Sequence, residues 1–157
     1  MLEVARCDSP AQQGSAPGGV AVYSRLPLCQ DQVISSLSLV EAASARQGDS
    51  LLVSVLYCHP KAQLQHILEA LEALLSSAPA RTTILAVDFN RDMQSAGGRQ
   101  IIAALEARGL TLSSNRSVPT TYNGSTIDAV FSTAPAVKVT QYQSYYSSHI
   151  PLVADIL

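Results

Sequence analysis

The chain has no tryptophan, no closely spaced pair of cysteines and no apolar run long enough to cross a bilayer. Its three cysteines, Cys7, Cys29 and Cys58, are odd in number and far apart, which argues against a disulfide framework and favours reducing surroundings. No basic segment followed by an apolar one opens the sequence, so nothing there resembles a secretory signal. From these absences we expect an intracellular protein, nuclear or cytoplasmic, that does not act at a membrane.

Charged residues are also scarce, at 14% of the 157 residues, whereas hydrophobic residues make up 47%. This balance is typical of a folded chain with a moderate core, and the length suits one domain over residues 1–157. The formal net charge of −2 gives no bulk sign of nucleic-acid binding, although a local basic rim is compatible with this value.

The spacing of apolar residues predicts two helices among several strands. Apolar residues recur at helical spacing over 61–77 and 97–108, and Pro79 and Gly109 follow the two runs as stop and cap. Residues 8–19 are rich in Pro, Gly, Ser and Gln and predict a loop. Strand-like runs cover 20–24, 36–43, 51–57, 83–88, 126–132, 136–146 and 150–156. This order of elements predicts an α/β fold in which helices pack on a mixed sheet.

One predicted strand, within TTILAVDFN at 82–90, ends on the polar side chains Asp88 and Asn90. Asp and Asn favour turns after strands, so a turn is the simplest interpretation of this pair. The alternative is a ligand site, because ligands gather at the carboxyl ends of strands in α/β folds. A carboxylate and an amide at such an end are able to hold a cation and a water.

Three further polar residues lie at or near predicted strands. Asp128 sits in the apolar run STIDAVFST, either facing solvent on an edge strand or orienting a histidine, because a buried carboxylate needs a partner. His149 precedes a strand and Tyr57 ends one, and either is by default structural. A tyrosine hydroxyl at a strand end is also able to donate to a phosphate. Cys58 and His59 are adjacent and point to opposite faces, which makes them a poor nucleophile–base pair.

Taken in order, these motifs resemble the endonuclease/exonuclease/phosphatase superfamily, which has the deoxyribonuclease-I-like fold. The resemblance runs from about residue 18 to 152, and its spacing is most similar to endonuclease domains of mobile genetic elements. The motifs that carry it are GGVAVYSRLP at 18–27, Tyr57 followed by Pro60, Asp88-x-Asn90, Ile127-Asp128 and Ser147-x-His149-x-Pro151. The fold that the resemblance implies is a four-layer α/β sandwich, here truncated at the N-terminus.

The resemblance also implies a chemistry, namely metal-dependent cleavage of phosphodiester or phosphomonoester bonds with Mg²⁺ or Mn²⁺. Asp88 would serve the attacking water, and Asp88 and Asn90 would hold the metal. Asp128 would orient His149, which would contact the scissile phosphate, and Tyr57 would support a phosphate oxygen. Arg91 and Arg116 are candidates for binding substrate phosphates, although solvated surface arginines are the default interpretation of these residues.

Three departures from the family pattern bear on activity. Val87 replaces the usual glycine before Asp-x-Asn, and its Cβ is expected to crowd the site slightly. Ser148 replaces the aspartate of the usual Ser-Asp-His, which removes a negative charge and should weaken metal binding. The family's first two strands, with their Asn and main metal-binding Glu, have no clear counterpart. Glu3 is the one nearby acid, and its surroundings, MLEVARC, do not match the motif.

Several functions therefore stay open. The first is a metal-dependent nuclease acting on nucleic acid, on DNA in preference to RNA, with further domains supplied by a larger polypeptide. The second is a catalytically impaired remnant or binding module of the same fold. The third is a phosphohydrolase acting on inositol or lipid phosphates. The absent Glu and Ser148 favour the second of these, whereas the retained motif residues favour the first.

Overall fold

A six-stranded mixed sheet forms the centre of the computed structural model, which describes residues 1–8, 19–36, 39–76 and 80–156. The elements are β1 (Leu2–Asp8), β2 (Gly19–Ser24), β3 (Cys29–Ser36), β4 (Val40–Gln47), β5 (Leu51–Cys58), α1 (Leu64–Leu74), β6 (Thr82–Asp88), α2 (Ala96–Glu106), β7 (Thr111–Leu112), β8 (Asp128–Ser132), β9 (Val137–Gln141) and β10 (Leu152–Ile156). The central sheet has the order β3-β4-β5-β6-β8-β7, in which only β5 and β6 run parallel. Two smaller two-stranded antiparallel sheets pair β1 with β2 and β9 with β10.

One face of the central sheet packs against the two helices. Side chains alternate along a strand, so every second residue of β5 and β6 points to this face. The helices contribute apolar stripes at helical spacing, and burying one such Leu or Ile side chain contributes roughly 1.5–3 kcal/mol. The core on this side includes Leu56, Leu85, Val87, Phe131, Ile67, Leu71, Leu74, Ile101, Ile102 and Leu105.

The other face of the central sheet is covered in part by β1 and β2. Ala43 and Ala45 of β4 form a small core there with Ala5, Cys7 and Val22. Because both of its faces are covered, β4 is buried at every residue from 40 to 45. β10 approaches β8, and the loop before β10 reaches this same face of the sheet at Asp128. None of the helices in the described ranges is long and apolar enough to cross a bilayer.

The structure confirms both predicted helices, the strands at 20–24, 51–57 and 83–88, and the later parts of those at 126–132 and 150–156. The run at 36–43 is a strand from residue 40 onward. The prediction of a strand through residue 146 is wrong, because β9 ends at Gln141 and a polar, tyrosine-rich loop follows. β1 and β3 were not predicted, since charged and polar residues interrupt their apolar alternation. Most of the predicted loop at 8–19 lies outside the described residues.

Candidate active site

Three of the candidate residues lie in one row across the central sheet. Tyr57 on β5 is the register partner of Asp88 on β6, and Asp88 is in turn the partner of Asp128 on β8. Residues directly opposite each other in paired strands project to the same face. The three side chains therefore emerge side by side, at the carboxyl ends of β5 and β6 and the first residue of β8.

His149 reaches this row from the loop that precedes β10. Its Nδ1 lies 3.0 Å from both carboxylate oxygens of Asp128, and its Nε2 lies 4.0 Å from Oδ2 of Asp88. An ionised carboxylate only accepts hydrogen bonds, so Nδ1 carries the hydrogen and Nε2 is directed towards Asp88. The imidazole is thus held between the two aspartates, with one nitrogen anchored and the other available.

Backbone hydrogen bonds to the 120–122 segment fix the position of the His149 loop. Ile150 N–H donates to the carbonyl of Thr120 at 2.7 Å, and Tyr122 N–H donates to the carbonyl of Ser148 at 3.1 Å. Thr120 Oγ1 also accepts from the backbone N–H of Asp128 at 3.0 Å. The same segment therefore positions both members of the Asp128–His149 pair.

Asn90 closes the end of the row next to Tyr57. Its backbone N–H donates to Asp88 Oδ1 at 2.8 Å, and its Nδ2 donates to the carbonyl of Cys58 at 2.8 Å. Its φ of 46° is left-handed, a conformation that Asn adopts more readily than most residues. Asn90 thereby joins the ends of β5 and β6.

Burial and neighbouring charge shift the pKa of two groups in the row. Desolvation raises the pKa of Asp88, Asp128 adds to the rise, and the Asn90 N–H and His149 oppose it. The pKa of Tyr57 is also raised, first by burial and then by the charges of Asp88 and Glu41. Asp88 is therefore a stronger proton acceptor than an exposed aspartate, as a general base requires.

Glu41 is the member of the row that the sequence interpretation missed. It lies on β4 as the register partner of Tyr57 and is only 3% exposed. The available signal was an acidic residue inside the strand-like run at 36–43, where burial of a carboxylate is costly. The row thus has four members, Glu41, Tyr57, Asp88 and Asp128, and carries three carboxyl groups.

The row opens into a groove of about 330 Å³ between β6, β8 and the start of β10. Asp88, Asp128 and His149 each offer a ligand atom, and these atoms lie within 4.8 Å of one another. Asp88 and Asp128 stand directly opposite each other, an arrangement of like charges that a cation would relieve. Carboxylate oxygens are ligands of hard divalent ions, so the two aspartates fit such an ion.

The structure does not bring the two candidate arginines into this groove. Arg91 Nη2 donates to the carbonyl of Ala62 at 3.3 Å, beside the start of α1. Arg116 is exposed and lines a separate depression with Gln94, Arg99 and Ser117. Arg116 therefore does not line the groove that contains Asp88, Asp128 and His149.

Two further expectations concern residues beside the row. The Val87 side chain packs into the core on the helix side, so its Cβ points away from the row of side chains, although Val87 still lines the groove. Burial raises the pKa of the Cys58 thiol, which agrees with the view that Cys58 is not a nucleophile. Ser148 is exposed, and its side chain offers a hydroxyl where the family pattern has a carboxylate.

The fold is similar to those of several solved structures. The endonuclease domain of TRAS1, a telomere-specific non-LTR retrotransposon, aligns with 96% of this chain and 77% of its own at 20% identity, with a TM-score of 0.68. The human Nocturnin catalytic domain aligns with 97% of this chain and 71% of its own at 16% identity and a TM-score of 0.64. The Haemophilus ducreyi cytolethal distending toxin aligns with 90% of this chain and 64% of its own at 14% identity and a TM-score of 0.62.

Sequence comparison gives one family and no individual relative. No curated protein matches the chain. The family model described as endonuclease-reverse transcriptase matches residues 51–153, about two thirds of the chain, and this span includes every member of the row except Glu41, together with His149. The chain therefore belongs to the endonuclease-reverse transcriptase family, within the deoxyribonuclease-I-like endonuclease/exonuclease/phosphatase superfamily of hydrolases.

Proposed function

We propose that this protein hydrolyses phosphodiester bonds of nucleic acid, DNA in preference to RNA, with the help of a divalent metal, Mg²⁺ or Mn²⁺. The observation that carries the proposal is the placement of His149 between Asp128 and Asp88 at the rim of an open groove. The similarity to a retrotransposon endonuclease domain supports nucleic acid as the substrate.

In this proposal Asp88 acts as the general base. It accepts a proton from a water while the water oxygen forms a bond to phosphorus and the bond to the leaving oxygen breaks. The leaving oxygen takes its proton from solvent. The raised pKa of Asp88 brings its basicity closer to neutral pH, where general bases are most effective.

His149 and Tyr57 bind the phosphate oxygens on which charge develops. When protonated, His149 Nε2 donates to a non-bridging oxygen, and Asp128 keeps the ring aligned through Nδ1. The Tyr57 hydroxyl stays protonated because burial and neighbouring carboxylates raise its pKa, so it donates to a second oxygen. We assign Asp128 as a positioning residue, because it acts through His149, which it orients.

Asp88 and Asn90 would hold the divalent ion, and the ion would supply positive charge to the reacting phosphate. The Asn90 Nδ2 group faces the carbonyl of Cys58, so Asn90 Oδ1 is the atom left to bind metal. We propose that Arg116, together with Arg99, contacts a phosphate further along a bound strand, and that Arg91 contributes positive charge near the loop after β6.

Ser148 favours a second candidate function, a binding module that has lost catalysis. A serine at this position supplies no charge to a metal, whereas a carboxylate beside His149 would strengthen cation binding. Under this alternative the protein binds nucleic acid without cleaving it. The variant Ser148→Asp is informative here, because it restores the missing charge at an exposed position.

The test is nicking of supercoiled plasmid by the purified chain with Mg²⁺, and with the metal removed by EDTA. We expect metal-dependent nicking that falls by about 10²-fold or more in Asp88→Ala and His149→Ala, since each removes one group acting on the reacting phosphate. Asp155→Ala is the matched control, because Asp155 is an exposed acid on β10 outside the row. We expect this control to nick at the wild-type rate.

Circular dichroism spectra must show that all variants are folded. Nicking that survives both substitutions at the wild-type rate would rule out the assigned site. No nicking by folded wild type, together with nicking by Ser148→Asp, would identify this chain as a binding module that one substitution returns to catalysis.

A further inference from the structure

Four of the six tyrosines lie exposed around the loop that carries His149. Tyr122 and Tyr142 are each 55% exposed, Tyr145 is 80% exposed and Tyr146 is 99% exposed. We call these four residues the tyrosine cluster. Tyr57 belongs to the row of the candidate site, and Tyr23 lies apart on β2.

Hydrogen bonds tie the tyrosine cluster to the His149 loop. The Tyr122 hydroxyl donates to the carbonyl of Ser144, and Tyr142 N–H donates to the carbonyl of Pro151 at 3.0 Å, which closes the loop at its base. Tyr145 and Tyr146 precede His149 by four and three residues. An extended chain spans at most about 14 Å over four residues, so these rings lie within a few nucleotides of a phosphate at His149.

The exposed rings add little to the stability of the fold, because they remain in contact with water. Burial from water, rather than exposure, is what makes an aromatic ring stabilising. Exposed apolar surface that is grouped beside a site indicates binding. A nucleobase can stack on the face of an exposed aromatic ring, and base–aromatic stacking is a common means of binding single strands.

The segments that carry the cluster contain no acidic residue. Residues 117–127 and 139–151 have no Asp or Glu, so no carboxylate in them repels a polyanion. The nearby cation Lys138 lies opposite Asp155 in the pairing of β9 with β10, so it adds no unpaired positive charge. The position of the cluster beside the proposed phosphate site, rather than its charge, is therefore what favours nucleic acid over a membrane surface.

We propose that the tyrosine cluster stacks on unpaired bases next to the phosphate bound at His149, so that the preferred substrate is single-stranded or locally unpaired nucleic acid. This inference rests on the proposed function only for the position of the phosphate. It names a substrate class that the row and His149 do not select, because these groups act on the phosphate, the attacking water and the metal and not on bases.

The test is binding of the purified chain to a fluorescent oligothymidylate, measured by anisotropy in EDTA so that no cleavage occurs. A Tyr145→Ser/Tyr146→Ser double variant is compared with the Phe/Phe double variant, which keeps the rings. Tyr23→Ser is the matched control, since it removes a tyrosine that is 52% exposed on β2. An abasic oligomer of equal length supplies the phosphates without the bases, and an intact duplex supplies paired bases.

We expect the Ser/Ser variant to bind oligothymidylate at least about tenfold more weakly, while the Phe/Phe variant and the Tyr23 control bind as wild type does. Affinity for the abasic oligomer should be low and equal in all proteins, and the duplex should bind more weakly than the single strand. Equal affinity of the Ser/Ser variant and wild type for oligothymidylate would overturn the proposal. The proposal would also be overturned if the Ser/Ser variant lost only its binding to anionic phospholipid vesicles, because that result would assign the cluster to a membrane surface.

Failure of this inference is separable from failure of the proposed hydrolysis. If wild type nicks plasmid and the Ser/Ser variant binds oligothymidylate as wild type does, the role of the tyrosine cluster is refuted and the proposed hydrolysis stands. If binding depends on the bases and the tyrosines but no variant nicks plasmid, the role of the cluster stands and the proposed hydrolysis is refuted.

Discussion

The buried charge of Asp88, which the proposed reaction requires, also destabilises the folded state. Its carboxylate is desolvated and stands opposite Asp128, and both effects raise its pKa. An acid whose pKa is higher in the folded state binds its proton more tightly there than in the unfolded chain. The folded state is therefore destabilised by ionised Asp88 at neutral pH, and this destabilisation fades as the pH falls through the folded-state pKa.

Asp88→Asn should accordingly raise the thermal unfolding midpoint at pH 7 in EDTA, because it removes the buried charge and keeps the acceptor for Asn90 N–H. The difference from wild type should shrink as the pH is lowered towards the range in which Asp88 takes up its proton. Thermal unfolding followed by circular dichroism at several pH values measures both effects.

In Mg²⁺, the thermal unfolding midpoint of wild type should rise above that of Asp88→Asn. A ligand that binds only the folded state stabilises it, so Mg²⁺ should raise the midpoint of wild type and leave that of Asp88→Asn unchanged. A variant that melts below wild type at pH 7 in EDTA would contradict the assignment of Asp88 as a destabilising buried charge.

At the scale of elements, the start of α2 supports the loop that carries Asn90. Ser95 caps the helix by accepting from Gly98 N–H at 3.0 Å. A Cβ on Gly98 would lie 2.3 Å from the carbonyl oxygen of Asp92 and 2.6 Å from Cα of Met93. Only glycine therefore permits the helix to pack this closely on the backbone of the 90–93 loop.

Gly98→Ala should destabilise the protein by about 2 kcal/mol, because backbone atoms that cannot rotate away must move. It should also lower any nicking activity, since the displaced loop carries Asn90. Gly97→Ala is the matched control, because its Cβ would meet only the flexible end of Arg91, at 3.0 Å. Urea unfolding measures both free energies, and equal stabilities for the two variants would contradict the close approach at Gly98.

At the scale of the whole molecule, the site joins a well-packed part to a weakly packed one. Tyr57, Asp88 and Asp128 belong to the six-stranded sheet, in which alternate residues of β5 and β6 are buried. His149 belongs to the loop between β9 and β10, and no residue of these two strands is fully buried. An isolated two-stranded sheet is only marginally stable, so this hairpin is held mainly by its contacts with β8 and the 120–122 segment.

Backbone amides of β9 and β10 should therefore exchange with deuterium faster than those of β5 and β6, because local opening of the hairpin leaves the central sheet intact. Hydrogen exchange followed by mass spectrometry on peptic fragments measures the difference. Addition of Mg²⁺ and a single-stranded oligonucleotide should slow exchange in the hairpin, since both are proposed to bind beside His149. Protection of β9 equal to that of β5 would contradict a weakly packed hairpin.

The sequence alone determined the periodic elements and most members of the site. Helical spacing from Leu64 to Leu74 and strand alternation before Asp88 are local properties, because each side chain's face follows from its position along one element. The order of the motifs around Tyr57, Asp88, Asn90, Asp128 and His149 also indicated the superfamily before any fold was known. The strand predicted over 136–146 runs past the end of β9 at Gln141. The reason is that the tyrosines of the following loop have a high β-propensity whether or not they are paired with another strand.

Only the tertiary structure decided which of these residues meet. The register between β4, β5, β6 and β8 places Glu41 in the row and turns Val87 away from it, and register depends on pairing between distant segments. The same long-range packing leaves Arg116 in a separate depression and the tyrosine cluster in solvent beside His149. Spacing along the chain fixes the face on which a side chain lies within its own element, whereas contact between elements requires the folded sheet.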